Sequence, residues 1–128
     1  MRMYTLKELQ NIELQILIDF HQFCFENNLR YYLIGGALLG AARYQKFIPW
    51  DDDVDVAMPR EDYERLKQIY FSDRYFLQNT QSDPLFSRCI QKIRMNGTVI
   101  EEKSCVGVNI HQGIYIDISP LIMWGIMM

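Results

Sequence analysis

The stretch GIYIDIS, residues 113–119, alternates apolar and polar side chains with the period of two that a β-strand imposes. On one face of such a strand lie three isoleucines, Ile114, Ile116 and Ile118. On the other face lie three residues with polar groups, Tyr115, Asp117 and Ser119. An isoleucine face stabilises a fold only when other elements remove it from water. The stretch therefore predicts a β-sheet with helices packed on it.

Two amphipathic helices are predicted from apolar residues at helical spacing. The first begins at Thr5, which forms a capping-box pattern with Glu8, and ends near Asn27 and Asn28. The second opens at Pro59, a residue that suits the first turn of a helix, and covers the stretch PREDYERLKQIYF. Both helices offer an apolar face that can cover a sheet.

The remaining segments predict shorter elements. RYYLIGG contains a buried strand at residues 31–34 that the glycine pair stops, ALLGAARY favours a short helix, and DVDVAM alternates like a strand. YFLQNT, FSRCIQKIRM and TVIEEK are strands or irregular pieces. The predicted fold class is α/β or α+β, with a sheet and helices packed on it.

The composition is typical of one globular domain, residues 1–128. An apolar content of 49% argues against disorder. A formal net charge of −3 lacks the excess of positive charge that non-specific binding to nucleic acid needs. Cys24, Cys89 and Cys105 match neither a disulfide framework nor a zinc site, which favours a reducing cytoplasm. Since the sequence shows no signal-peptide pattern and no run of about 18 apolar residues, the expected location is the cytoplasm or the membrane periphery.

The stretch FIPWDDDVDVAM crowds four aspartates into five positions. Two carboxylates about 4 Å apart repel each other by roughly 1 kcal/mol even in bulk water, so the cluster needs a compensating interaction. Strand alternation places Asp53 and Asp55 on one face, with Val54 and Val56 on the other. If this strand neighbours the one that carries Asp117, three carboxylates can converge, and oxygen ligands of this kind suit Mg²⁺ or Mn²⁺.

Two other interpretations compete for the acidic stretch. A solvated acidic loop is the simpler one, because runs of charge usually face water. A calcium-binding loop is the other, because Asp51, Asp53 and Asp55 fit its first, third and fifth positions. The calcium loop fails beyond that point, since Val56 stands where the loop needs glycine and Pro59 occupies the ninth position.

Gly35 and Gly36 follow a predicted strand and precede a predicted short helix. Without side chains they let a phosphate approach the backbone, and a helix N-terminus offers free N–H groups with a partial positive charge. A tight turn that needs positive φ is the alternative interpretation. Gly36 and Asp53 are 17 residues apart, which leaves room for one short helix and a loop between a phosphate cradle and the acidic strand.

The stretch YLIGGALLGAARYQKFIPWDDDVDVAMPREDYERL, with GIYIDISPL further on, resembles the LicD family. The glycine pair, LLG, FIPWDDD, the paired aspartates, MPREDY and IDISPL occur in the family's order, and the resemblance covers about residues 14–121. It implies a nucleotidyltransferase fold of the polymerase-beta-like type. It also implies a transferase that moves a phospho-alcohol, such as phosphocholine or ribitol phosphate, from a CDP-linked donor such as CDP-choline to a cell-surface glycan such as lipopolysaccharide or teichoic acid.

The resemblance also implies roles for individual residues. Asp53, Asp55 and Asp117 would be the catalytic residues and the ligands of Mg²⁺ or Mn²⁺. Gly35 and Gly36 would hold the phosphates of the donor.

Basic residues would complete the nucleotide- and phosphate-binding site. Lys92 and Arg94, in QKIRM, fall where the family has a basic pair, and a solvated strand face is the alternative interpretation. Arg43 has a similar expected role. The following residues stay open between a role at the site and local structure: Asp51, Asp52, His111 and Trp50.

The sequence departs from the family after Leu121, where Ile122 and MWGIMM stand in place of an aspartate and a long C-terminal region. Without that region the chain is expected to lack contacts to the glycan acceptor, and the apolar end favours self-association. Two other functions fit the acidic motif: a metal-dependent glycosyltransferase that uses a sugar nucleotide, and a non-catalytic nucleotide-binding module. The glycosyltransferase is disfavoured because only 50 residues precede the motif.

Overall fold

The computed structural model describes residues 3–43, 52–100 and 107–121. Within these ranges the elements follow in the order α1 (Leu6–Glu26), β1 (Tyr32–Ile34), α2 (Gly35–Arg43), β2 (Asp55–Met58), α3 (Arg60–Ile69), β3 (Tyr75–Gln78), β4 (Gln91–Met95) and β5 (Tyr115–Pro120). The predicted sheet with helices packed on it is confirmed. The specific nucleotidyltransferase fold and the single domain over residues 1–128 stay predictions.

Helix α1 begins and ends at the residues that its sequence predicts. Thr5 Oγ1 accepts a hydrogen bond from the Glu8 backbone N–H, and the Glu8 carboxylate accepts one from the Thr5 backbone N–H, each at 3.1 Å. The predicted capping box is therefore confirmed. Asn27 is the C-cap, and Asn28 follows with a φ of +56°, a left-handed conformation that asparagine tolerates.

The five strands form one mixed sheet in the order β1–β2–β5–β4–β3. Strands β2 and β5 are parallel, and the other three neighbouring pairs are antiparallel. The register of the parallel pair sets Asp55 beside Asp117 and Val56 beside Ile118. Since register partners project to the same side of a sheet, apolar residues meet on one face and carboxylates on the other.

The core lies between the apolar face of the sheet and two helices. Helix α1 packs against β4 and β5, and α3 packs against β5. Seven fully or almost fully buried residues of this cluster come from α1, from β2 and β5, and from the residue just before each of these two strands: Ile16, Phe20, Val54, Val56, Ile114, Ile116 and Ile118. Complete burial of one such side chain stabilises the fold by about 1.5–3 kcal/mol. The predicted division of both alternating stretches into a core face and a polar face is confirmed.

Two boundaries differ from those that the sequence predicts. Helix α2 begins at Gly35 itself, because the glycine pair forms the first turn of the helix instead of preceding it. Strand β2 begins at Asp55, although the Asp117 N–H already donates to the Val54 carbonyl oxygen at 3.0 Å. Residues 98–100 are irregular, which is one of the two predicted possibilities for TVIEEK.

Some expectations concern residues outside the described ranges. These are Trp50, Asp51, Cys105 and the apolar end, residues 122–128. Of the other two cysteines, Cys24 is buried and Cys89 is exposed, and both are free thiols. None of the helices within the described ranges combines the length and the apolar character that a membrane crossing needs.

Candidate active site

A row of polar side chains crosses the sheet on the face opposite the core. Asp55 of β2 is the register partner of Asp117 of β5, Asp117 pairs with Lys92 of β4, and Lys92 pairs with Gln78 of β3. Adjacent strands lie about 4.8 Å apart, so side chains in this row are direct neighbours. The sheet thus brings together Asp55, Asp117 and Lys92, three of the residues that the sequence singles out.

Lys92 and Asp117 form a partly buried ion pair at the centre of this row. The Lys92 ammonium donates to Asp117 Oδ1 at 2.6 Å; the lysine side chain is 1% exposed and the aspartate side chain 18%. The same ammonium lies 3.6 Å from the centroid of the Tyr115 ring. A buried ammonium is stable only when it is paired, and here a carboxylate and the negative face of an aromatic ring both stabilise it.

Arg94 is buried two residues further along β4, where it is 1% exposed. Its Nε donates to Gln78 Oε1 at 2.7 Å, and its Nη1 donates to the Gly113 carbonyl oxygen at 2.6 Å. Its guanidinium carbon lies 4.6 Å from the centroid of the Tyr115 ring, so one ring contacts both cations. A solvated strand face, the alternative interpretation for Lys92 and Arg94, is therefore wrong.

Gly35 starts helix α2 beside the carboxylate row. Its φ of +58° strains any residue with a side chain, so the positive φ that the alternative interpretation expects is present at this glycine, at the start of a helix. A Cβ atom added there would lie 3.8 Å from Asp55 Oδ2. The first N–H groups of a helix have no partner within that helix, and at α2 they begin next to an acidic side chain. Binding of a phosphate by Gly35 and Gly36 stays a prediction.

Asp53 lies just before β2 and lines a cavity of about 210 Å³ at the amino ends of β2 and β5. Asp52, Tyr115 and the buried Glu13 of α1 line the same cavity, and both Asp52 and Asp53 are exposed. Within residues 3–43, 52–100 and 107–121, no three His, Cys, Asp or Glu side chains are grouped so that they could hold a metal ion. The three-carboxylate metal site stays a prediction.

The neighbouring carboxylates of Asp55 and Asp117 nevertheless have the chemistry that a divalent cation needs. Carboxylate oxygens are the ligands that Mg²⁺ and Mn²⁺ prefer in proteins. The two side chains project from adjacent parallel strands to the same face of the sheet. This donor set therefore fits a hard divalent cation.

His111 makes structural contacts, as one of the two interpretations of this residue expects. Its Nδ1 accepts from the Gly113 backbone N–H at 3.0 Å, and its Nε2 lies 2.9 Å from Asn96 Oδ1. The ring stacks on Phe76 with centroids 5.1 Å apart. Burial, and secondly the nearby charge of Arg94, lower the pKa of His111.

Three residues of the site have no role in the sequence analysis. Glu13 carries a signal, because it interrupts the apolar stripe of α1 and is nonetheless 3% exposed. Tyr115 is visible as a polar-face residue, but its contacts with two cations depend on how β4 and β5 pair. Gln78 carries no signal, since its place depends on the pairing of β3 with β4.

Arg43 is exposed at the end of α2, and its role stays a prediction.

The chain matches the family model described as LicD/FKTN/FKRP, nucleotidyltransferase domain, over residues 28–121. This range contains all five described strands and helices α2 and α3. It also contains all four residues of the polar row, which are Asp55, Asp117, Lys92 and Gln78.

Three curated proteins illustrate the similarity. Lipopolysaccharide cholinephosphotransferase LicD of Haemophilus influenzae is 42% identical over 82 residues, which are 64% of this chain and 31% of that protein. An uncharacterised protein of Rickettsia prowazekii is 44% identical over 55 residues, 43% of this chain and 21% of that protein. Ribitol 5-phosphate transferase FKRP of Homo sapiens is 51% identical over 41 residues, 32% of this chain and 8% of that protein. The matched part is thus less than a third of each relative's length.

Proposed function

The chain belongs to the LicD/FKTN/FKRP nucleotidyltransferase-domain family, and on that premise we propose that it transfers a phospho-alcohol from a CDP-linked donor to a glycan hydroxyl. The relatives named as a cholinephosphotransferase and a ribitol 5-phosphate transferase support a phospho-alcohol as the transferred group. The single observation that carries the proposal is the register of Asp55 with Asp117, beside the glycine that starts α2. The nucleotidyltransferase fold is part of the same proposal.

Asp55 and Asp117 would hold Mg²⁺ or Mn²⁺, with Asp53 as a third ligand. A bound ion of this kind neutralises a pyrophosphate and stabilises charge on the entering and leaving oxygens. Asp117, whose side chain is 18% exposed, is also the candidate to accept the proton of the glycan hydroxyl.

The remaining residues of the site would orient the donor. The first turn of α2, at Gly35 and Gly36, offers N–H groups to its phosphates. Lys92 and Arg94 supply positive charge from β4, and Arg43 would add to it. The hydroxyl oxygen forms a bond to the phosphorus that carries the alcohol, the bond from that phosphorus to the bridging oxygen breaks, and CMP leaves with the electron pair.

The test measures release of CMP from CDP-choline and CDP-ribitol in the presence of Mg²⁺ and a lipopolysaccharide or teichoic acid acceptor. Asp55→Asn and Asp117→Asn should each lower the rate by more than about 100-fold, since loss of even the partners of metal ligands costs up to that factor. Asp73→Asn is the matched control, because Asp73 is exposed and lies outside the polar row. Turnover that survives in both site variants would contradict the proposed roles.

A panel of donors separates this function from its two alternatives. Turnover of UDP-sugars instead of CDP-linked donors would indicate a glycosyltransferase. Binding of CDP-linked donors without release of CMP, for every acceptor supplied, would indicate a nucleotide-binding module. Either result would contradict the proposed transfer.

A further inference from the structure

We infer that the Lys92 ammonium is the counter-ion of Asp117 and that a divalent cation displaces this ammonium from the carboxylate. Tyr115 then holds the displaced ammonium on the polar face of the sheet. The inference deepens the proposed function and rests on it. It assigns to Lys92 a second position, in which the ammonium contacts the Tyr115 ring but no longer Asp117. It assigns to Tyr115 a positioning role that no sequence motif indicates.

The contact between Lys92 and Asp117 occupies an oxygen that a metal ion would need. The ammonium donates to Asp117 Oδ1 at 2.6 Å, while Asp55 stands on the other side of Asp117 in the same row. A carboxylate can serve several partners, but an ammonium and a divalent cation on neighbouring positions repel each other strongly where little water screens them. Binding of the cation and the Lys92–Asp117 contact therefore oppose each other.

Lys92 has only a short way to move when it releases Asp117. It is 1% exposed, so a move into bulk water would require the covering residues to open. The Tyr115 ring lies 3.6 Å from the ammonium, at the distance of a cation–π contact. A lysine ammonium is a compact charge with rotatable donors, so Lys92 can turn away from the carboxylate and keep its contact with the ring.

Arg94 cannot play the same part. Its guanidinium is fixed by Gln78 Oε1 at 2.7 Å and by the Gly113 carbonyl oxygen at 2.6 Å. It also contacts the Tyr115 ring, 4.6 Å from the ring centroid to the guanidinium carbon. Arg94 thus anchors the Tyr115 ring. Of the two cations on this ring, Lys92 is the one that can release its carboxylate partner, Asp117.

The first test measures the affinity of the protein for Mn²⁺ by calorimetry, without donor or acceptor. Lys92→Met should tighten binding of Mn²⁺ by about fivefold or more, the lower end of ordinary coupling between two competing ligands. Lys67→Met is the matched control, because Lys67 also pairs with a carboxylate, Glu64 Oε1 at 3.2 Å, and lies over a tyrosine ring, 5.3 Å from the centroid of Tyr63. Unchanged or weaker binding in a folded Lys92→Met protein would overturn the inference.

The second test uses the unaltered protein, so that it does not depend on whether a variant folds. The ¹⁵N resonance of the Lys92 ammonium should shift when Mg²⁺ is added, while that of Lys67 stays in place. With Mg²⁺ bound, the Lys92 signal should persist in Tyr115→Phe, which keeps the ring, and broaden in Tyr115→Leu. A Lys92 resonance that ignores Mg²⁺ at a concentration that saturates the site would overturn the inference.

These readouts do not depend on turnover. A protein that shows the Lys92 shift but releases no CMP from any donor would contradict the proposed function and support the counter-ion role. A protein that releases CMP with a Lys92 resonance unmoved by Mg²⁺ would support the proposed function and overturn the counter-ion role.

Discussion

Replacement of Asp62 by asparagine tests the contact that fastens α3 to the start of β1. The Arg30 backbone N–H donates to Asp62 Oδ2 at 2.6 Å, and the guanidinium donates to Oδ2 from Nε at 3.1 Å and to Oδ1 from Nη2 at 2.9 Å. Asp62 is 7% exposed in the first turn of α3, and Arg30 precedes the strand that leads to Gly35. The carboxylate thus ties α3 to the segment that leads into β1.

The expected loss in the free energy of unfolding is about 2 kcal/mol. A hydrogen bond to a charged group contributes about 1.5–3 kcal/mol. The bond from the Arg30 backbone N–H is assigned this contribution, because it is short and its acceptor Asp62 is 7% exposed. The Arg30 side chain is 58% exposed, so water screens its ion pair and leaves it a minor contribution to stability. For a domain of this size, a loss of about 2 kcal/mol lowers Tm by about 6–10 °C.

The assay is chemical denaturation at pH 7 and at pH 3. The hydrogen bonds from the Arg30 side chain are the main cause that holds the pKa of Asp62 below its usual value, and burial acts against them. Since the unfolded aspartate takes up its proton near pH 4, the stabilisation by the carboxylate is complete above about pH 4 and is lost as the pH falls through the lower folded pKa. The difference between Asp62→Asn and the unaltered protein should therefore be smaller at pH 3 than at pH 7.

Glu61 provides the matched control for this prediction. Its side chain is 88% exposed and lies 3.9 Å from Arg30 Nη2, so Glu61→Gln should change the free energy of unfolding by less than about 0.5 kcal/mol. The reasoning is refuted if Glu61→Gln destabilises as much as Asp62→Asn. It is also refuted if the Asp62→Asn difference is the same at both pH values.

Two further predictions follow from packing. Gly113→Ala should destabilise the fold by about 3 kcal/mol or more, because a Cβ would lie 2.3 Å from the Met95 carbonyl oxygen and 2.7 Å from His111 Cε1; a thermal midpoint close to that of the unaltered protein would contradict this. Burial raises the pKa of Cys24 to about 12, so iodoacetamide at pH 8 should modify the exposed Cys89 and spare Cys24 until denaturant is added. Peptide mass spectrometry checks the second prediction, and native-state labelling of Cys24 would contradict it.

The helices and the inner strands are predictable because their signals are local. The capping box of Thr5 and Glu8 needs only four consecutive residues, and it starts α1 as predicted. Alternation in GIYIDIS and DVDV is enough to separate the buried isoleucines and valines from Asp55 and Asp117. The resemblance to the LicD family then links the two strands, because FIPWDDD with the paired aspartates and IDISPL belong to the same set of family motifs.

The burial of the polar face is not predictable in this way. Alternation places Lys92 and Arg94 on one face of β4, but it does not say which residues cover that face. Their cover includes Tyr115 and Gln78, which meet them only because β4 lies between β3 and β5. Such long-range pairings leave no local mark in the sequence, and the same holds for the packing of Glu13 against the cavity that Asp53 lines.

Anomalous diffraction from crystals soaked in Mn²⁺ tests most directly whether Asp55 and Asp117 form the reaction centre. A peak within about 2.5 Å of an oxygen of each carboxylate, with Lys92 Nζ withdrawn from Asp117 Oδ1, is the predicted result. A peak remote from both side chains, or none at a concentration that saturates binding in solution, would contradict it.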